Sequence, residues 1–172
     1  MFTGQPIPDT ILEEVLQLAA YAPSHKLTQP WRFKIFTGEA LKKLSDYLGT
    51  YYKINTSEEK FNEVKYRKTK AKPLQSSHVI VIIMQRDLLE RIPEWEEIAS
   101  VAMAVQNIWL GLTERGIGTY WSSPKSMTEG PDFLDLKEGE KCLGLMYLGM
   151  PKIHPITPPR EHISTKIEWI RS

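Results

Sequence analysis

Residues 78–84 read His-Val-Ile-Val-Ile-Ile-Met, and this run constrains the fold more than any other stretch of the chain. It is continuously apolar after the histidine and rich in β-branched residues. That pattern fits a strand buried on both faces. A second apolar run, Lys-Cys-Leu-Gly-Leu-Met-Tyr-Leu-Gly-Met at 141–150, reads the same way and is stopped by Pro151. Trp-Arg-Phe-Lys-Ile-Phe at 31–36 alternates as a half-buried strand. Gly-Ile-Gly-Thr-Tyr-Trp at 116–121 turns into a shorter one.

Helical periodicity fills the intervals. After Asp9, whose carboxylate is expected to cap the first turn, Ile11, Leu12, Val15, Leu16 and Ala19 share one face. Pro23 is expected to end that helix. Gly38 opens a second helix carrying Leu41, Leu44, Tyr47 and Leu48. The charged stretch 57–72 has Phe61 and Val64 as its few apolar points and reads as an exposed helix. The longest helical signal runs from Glu94 to Arg115, with Trp95, Ile98, Ala102, Val105, Trp109 and Leu112 recurring every three or four residues. Alanines at 99, 102 and 104 leave room for another element to approach, and Gly116 stops the helix. Residues 122–133 read as loop. The tail 152–172 is proline-rich and then amphipathic, with too little apolar content to fold alone, so it is expected to lie across another surface. The alternation argues for one α/β layered domain with a mixed sheet.

Totals exclude several classes. The chain has 172 residues, which suits one domain and one core. Its formal net charge of +1 gives no global electrostatic case for nucleic acid or membrane. No apolar run is long enough to span a bilayer, and the first ten residues do not resemble a signal peptide, so a cytoplasmic location is expected. Cys142 is the only cysteine, so no intrachain disulfide can form. His25, His78, His154 and His162 show no metal-ligand spacing, and no metal is expected. No nucleophile elbow or phosphate-cradling Gly-rich loop is present.

Four other features have bland readings. Gly116 and Gly118 most simply make a tight helix-to-strand turn, although glycines there also let a flat ligand reach the backbone. The basic run Lys65, Arg67, Lys68, Lys70 and Lys72 is balanced by Glu58, Glu59 and Glu63 and reads as a solvated face. Glu96 and Glu97 are adjacent, so on a helix they diverge by about 100° and make a poor acid/base pair. Cys142, inside an apolar strand, reads as inert core.

One junction resists a bland reading. Residues 22–33, Ala-Pro-Ser-His-Lys-Leu-Thr-Gln-Pro-Trp-Arg-Phe, gather donors and acceptors on a loop between a helix and a strand. Ser24 alone is a turn residue and Trp31 a core anchor. Yet Lys26 could meet an anionic atom and Gln29 an amide edge, and ligand sites tend to be built at such places. Residue types alone leave both readings open.

At this point the chain resembles the nitroreductase family of FMN-dependent oxidoreductases. The likeness is carried by 12–36 with its Gln-Pro-Trp, by 100–121 with Ala-x-Gln-Asn-like and Gly-x-Gly patterns, by Leu-Gly-Leu-Met-Tyr-Leu-Gly-Met-Pro at 143–151, and by Thr-Lys-Ile-Glu-Trp-Ile at 165–170. Pro-x-His-Lys-x-x-Gln-Pro-Trp together with Pro-Glu-Trp-Glu-Glu points to the small subgroup of short bacterial YdjA-type reductases. The resemblance implies an α+β three-layer sandwich, a mixed central sheet flanked by helices, over residues 1–172. It implies an intertwined homodimer with two FMN sites at the interface and the 152–172 tail crossing to the partner. It implies NADH or NADPH as electron donor, hydride passing to flavin N5, and a nitroaromatic, quinone or similar flat electrophile as acceptor. Chemistry of this kind needs no catalytic residue from the protein. By position, Pro23, Ser24, His25 and Gln29 are implied to line the flavin, with His25 reaching the flavin held largely by the partner. Trp121 and Ser122 are implied to border the ring or ribityl chain, and Arg160 to reach the phosphate. Trp109 is implied to be core or dimer interface.

Two departures go with the likeness. The family's Arg-Arg-Ser-like phosphate motif is expected just before Phe2, and this sequence does not contain it. Leu27 stands where many relatives carry a polar residue. The alternative reading is therefore a ligand-binding or sensory homodimer with weak or no flavin turnover, and a third is a purely structural dimer.

Overall fold

The apolar runs become the two central strands of a four-stranded sheet. In the computed structural model the strands are β1 (Trp31–Phe36), β2 (His78–Gln85), β3 (Gly118–Ser122) and β4 (Glu140–Gly149), in the spatial order β1-β2-β4-β3. The helices are α1 (Asp9–Leu16), α2 (Glu39–Ile54), α3 (Glu63–Leu74), α4 (Glu94–Glu114) and the short α5 (Lys125–Thr128). The structure describes residues 2–130, 133–153, 156 and 158–171; His154, whose spacing was considered above, lies outside them.

Side chains alternate across the sheet, as the pleat requires. Ile80, Ile82 and Met84 of β2 and Met146 and Leu148 of β4 face one layer, where they pack with Leu12 and Val15 of α1 and Val101, Val105 and Ile108 of α4. Val79, Val81, Ile83, Leu145 and Tyr147 face the other, against Leu41, Leu44 and Leu48 of α2. The three layers expected are therefore present. Burial pushes the Cys142 thiol and the Tyr147 phenol above their ordinary pKa ranges, which agrees with an inert core cysteine.

The sheet differs from expectation in one respect. All three strand pairings among the described residues are antiparallel, so within this chain the sheet is not mixed. The mixed sheet is argued from the alternation of strands and helices, and the apolar runs at 78–84 and 141–150 are read only as buried on both faces. Their burial comes from helices covering both faces, which strand direction does not decide.

Local details also shift. Pro8, in extended conformation, takes the cap position of α1, and Asp9 makes no side-chain cap bond. Its carboxylate instead meets His78, with Oδ1 2.8 Å from Nε2, tying α1 to the start of β2. The first helix tightens into a 3₁₀ turn at Gln17–Tyr21 before Pro23 is reached. In the charged stretch, α3 begins only at Glu63, where Asn62 Oδ1 accepts from the Lys65 amide at 2.9 Å. The 122–133 loop contains α5.

Gly116 behaves as read. At φ +71° it closes α4 with two bonds, Gly116 N–H to Thr113 O (3.0 Å) and Ile117 N–H to Leu112 O (2.9 Å), the paired pattern of a left-handed helix stop. Gly116→Ala should leave the fold intact and lower unfolding free energy by about 1 kcal/mol, since only glycine takes that backbone conformation without strain. Chemical denaturation of the variant against the parent measures it.

Candidate functional site

The 22–30 junction is held in a conformation the backbone does not favour. Lys26 (φ 51°), Leu27 (φ 55°) and Gln29 (φ 42°) all have left-handed backbone, without a glycine among them. Such residues persist only where their surroundings over-determine them, and they concentrate at ligand sites. Here the restraints are visible. Ser24 Oγ accepts from the Gln29 amide at 2.7 Å and lies 3.4 Å from Thr28 Oγ1. Arg32 Nη1 donates to Gln29 O at 2.8 Å. The Gln85 amide donates to Pro30 O at 2.7 Å, joining the junction to the end of β2.

Two further restraints come from across the chain. His25 Nδ1 lies 2.6 Å from Glu96 Oε2 in the first turn of α4. Lys26 Nζ donates to Arg91 O at 3.3 Å. The 86–93 segment that supplies Arg91 is itself braced. Glu97, with no exposed surface, pairs with Arg86 and accepts from the Asp87 amide at 2.8 Å. Asp87 in turn holds Arg91 through two side-chain bonds, at 2.8 and 3.0 Å. Glu96 and Glu97 thus diverge as helical geometry requires, one toward the loop and one into the protein.

With these restraints the junction presents Pro23, His25, Lys26 and Gln29 exposed, with Ser24 half-buried. Leu27 is 82% exposed on the same loop. Ser24 Oγ also serves the loop's own backbone. The set combines hydrogen-bonding groups with an apolar proline and leucine surface. That suits a flat ligand with polar edges.

Trp121 and Ser122 lie elsewhere. They sit on β3 at one edge of the sheet, whereas the junction leads into β1 at the opposite edge. Three strand spacings, roughly 14 Å, separate those edge strands. Trp121 packs against the α1/α4 core, and its indole N–H donates to Leu143 O at 3.1 Å, where a bulge between Ile82 and Ile83 leaves Leu143 out of register. A Cβ on Gly144 would come within 2.6 Å of that indole nitrogen, so the glycine makes room for the ring. Arg160 is exposed on the irregular C-terminal segment. One chain therefore brings together Pro23, Ser24, His25 and Gln29 on one loop, and leaves Trp121 and Ser122 at the opposite edge of the sheet.

On the outer face of α4, Trp95, Met103 and Leu110 are exposed, with Ala102 between them. The tail adds Ile163, Trp169 and Ile170, also exposed. Exposed apolar side chains gathered on one helix face are the kind of surface that a partner covers.

The nitroreductase family model matches residues 1–150. The chain belongs to the nitroreductase family. Membership makes it an oxidoreductase by class. It is 27% identical over 149 residues to YdjA of Escherichia coli (strain K12), named provisionally as an NAD(P)H nitroreductase, covering 85% of this chain and 79% of that one. The crystal structure of a nitroreductase-like family protein from Bacillus cereus superposes with a TM-score of 0.80 at 28% identity, covering 100% of this chain and 90% of the other. The FMN-dependent nitroreductase NfnB of Mycobacterium smegmatis, solved with NADPH, shares the fold with a TM-score of 0.78 at 18% identity, over 99% and 92% of the two chains. Among the described residues no helix is long and apolar enough to cross a membrane, and no cluster could hold a metal ion.

Sequence reasoning found the junction but missed what holds it. Glu96 was dismissed as half of an acid/base pair, and only its place opposite His25 gives it a role. The left-handed residues carry no glycine to announce them.

Two outcomes test the bracing. Glu97→Ala strands Arg86 and the Asp87 amide, and should lower the thermal midpoint far more than Glu114→Ala, which removes an exposed carboxylate. Asp87 is held at a pKa of about 2, against an ordinary 3.8, chiefly by its hydrogen bond from Arg91. A lowered pKa gives stability that is complete above the ordinary value and lost as pH falls through the folded one. The 86–93 segment should therefore loosen between about pH 4 and pH 2, read by amide exchange, and Asp87→Asn should remove that dependence.

Proposed function

We propose that this nitroreductase-family chain is an FMN-dependent oxidoreductase that takes electrons from NADH or NADPH and delivers them to a nitroaromatic, quinone or similar flat electrophile. The observation that carries this reading is the junction: exposed Pro23, His25 and Gln29 on a backbone held in left-handed conformations. The donor set fits the group. A ring with an apolar face and hydrogen-bonding edges matches a proline surface flanked by an imidazole and a carboxamide. When bound, FMN supplies the two-electron redox chemistry, so the reading needs no nucleophile from the protein. The provisional name of YdjA and the FMN and NADPH of NfnB support the same reading.

The chain's own residues bind and orient. His25 and Gln29 offer directed hydrogen bonds from the junction. Trp121 walls the opposite edge, with Ser122 beside it, and Arg160 supplies charge for a phosphate. These groups meet only if a second copy brings one edge against the other. A homodimer docked through the outer face of α4, with the 152–172 tail reaching across, does this and covers the exposed Trp95, Met103 and Leu110. Closing such a site also excludes water from the reacting face.

The purified protein should be yellow, or become so with added FMN, and the colour should bleach under NADH or NADPH. A colourless protein that gains no flavin absorbance on reconstitution overturns the proposal. His25→Ala and Gln29→Ala should each weaken FMN binding while circular dichroism stays unchanged. Leu110→Arg should convert a dimer into a monomer by sedimentation and release the flavin with it.

A further inference from the structure

We infer that Glu96 is a positioning residue: it fixes which nitrogen of His25 carries hydrogen, and so makes the exposed Nε2 an acceptor for a hydroxyl or N–H group of the bound ligand. This rests on the reading that the junction holds such a ligand.

The chemistry starts from the short contact. An ionised carboxylate can only accept hydrogen bonds. With Glu96 Oε2 2.6 Å from His25 Nδ1, the hydrogen must lie on Nδ1. In a neutral imidazole the other nitrogen then keeps its lone pair. Nε2 has no hydrogen-bond partner among the described residues, and the His25 side chain is 55% exposed against 25% for Glu96. The bonded edge of the ring is thus anchored on α4, and the free edge is open.

Glu96 is suited to hold this orientation. It lies in the first turn of α4, where the aligned amide dipoles favour a negative charge. Its neighbour Glu97, itself buried, pins that turn through its pair with Arg86. Lys26, next to His25, is bonded to Arg91, and Asp87 clamps Arg91 from the same segment. Without Glu96 the ring could rotate and exchange tautomers freely. With it, the junction offers a lone pair at a defined place. Such a group welcomes a ribityl hydroxyl or a ring N–H and disfavours a carboxylate or phosphate oxygen. This is the geometry in which a carboxylate orients an imidazole without touching the ligand itself.

The experiment has two arms. Long-range ¹⁵N–¹H NMR on the flavin-free protein reads the tautomer of His25. The parent should show hydrogen on Nδ1, and Glu96→Ala should lose that preference while remaining folded by circular dichroism. FMN titration should then show Glu96→Ala and His25→Ala each binding about tenfold more weakly, the scale of one lost hydrogen bond. The double variant should bind no more weakly than His25→Ala alone, because Glu96 acts only through the ring. Hydrogen on Nε2 in the parent, or a further loss from Glu96→Ala in the His25→Ala background, overturns the inference. Failure of the parent to bind FMN overturns the functional reading instead, and the tautomer still decides whether Glu96 sets His25.

Discussion

β2 has no exposed face, and both helical layers are arranged around that fact. Val79, Val81 and Ile83 need cover on one side and Ile80, Ile82 and Met84 on the other. Each such side chain contributes on the order of 2 kcal/mol when removed from water, so neither layer can be absent without a large loss. The crossover from β1 to β2 therefore carries α2 and α3 to one side, and α1 and α4 close the other. The site follows from this layering. α4 must lie along the sheet to cover β2, and its first turn then stands beside the junction that enters β1.

The same placement explains why a strained loop survives. Left-handed Lys26, Leu27 and Gln29 would relax in an isolated peptide. They are held because β2, α4 and the 86–93 segment each contribute a bond to the loop. The pair between buried Glu97 and half-buried Arg86 is the foot of that support. Buried ion pairs contribute little net stability beside a hydrophobic replacement. Holding the 22–30 junction in register gives a reason for this one.

Much of the fold was legible beforehand. β1, β2 and α4 stand within a residue or so of where alternation, the apolar run and the helical period put them. Those signals are strong because burial imposes a period on the chain. The left-handed stop at Gly116 was legible too, since glycine alone takes that conformation without strain. Strand direction, the use of Asp9 and the short α5 were not. None of them leaves a periodic trace, and Asp9 finds His78 only after the chain has folded. For the site, the junction was visible as a cluster of polar types. Its division from Trp121 and Ser122 was not, because proximity along an idealised site says nothing about which edge of a sheet each residue occupies.

By itself the sequence determined the layers, the family and the chemical character of the 22–33 junction, since each of these depends on residue type and spacing. Only the tertiary structure decided that Ser24 latches its own loop, that Glu96 faces His25, and that the junction and Trp121 with Ser122 stand at opposite edges of one sheet. Those facts depend on contacts between residues up to 71 positions apart, and such contacts exist only once burial of β2 has brought α4 alongside β1.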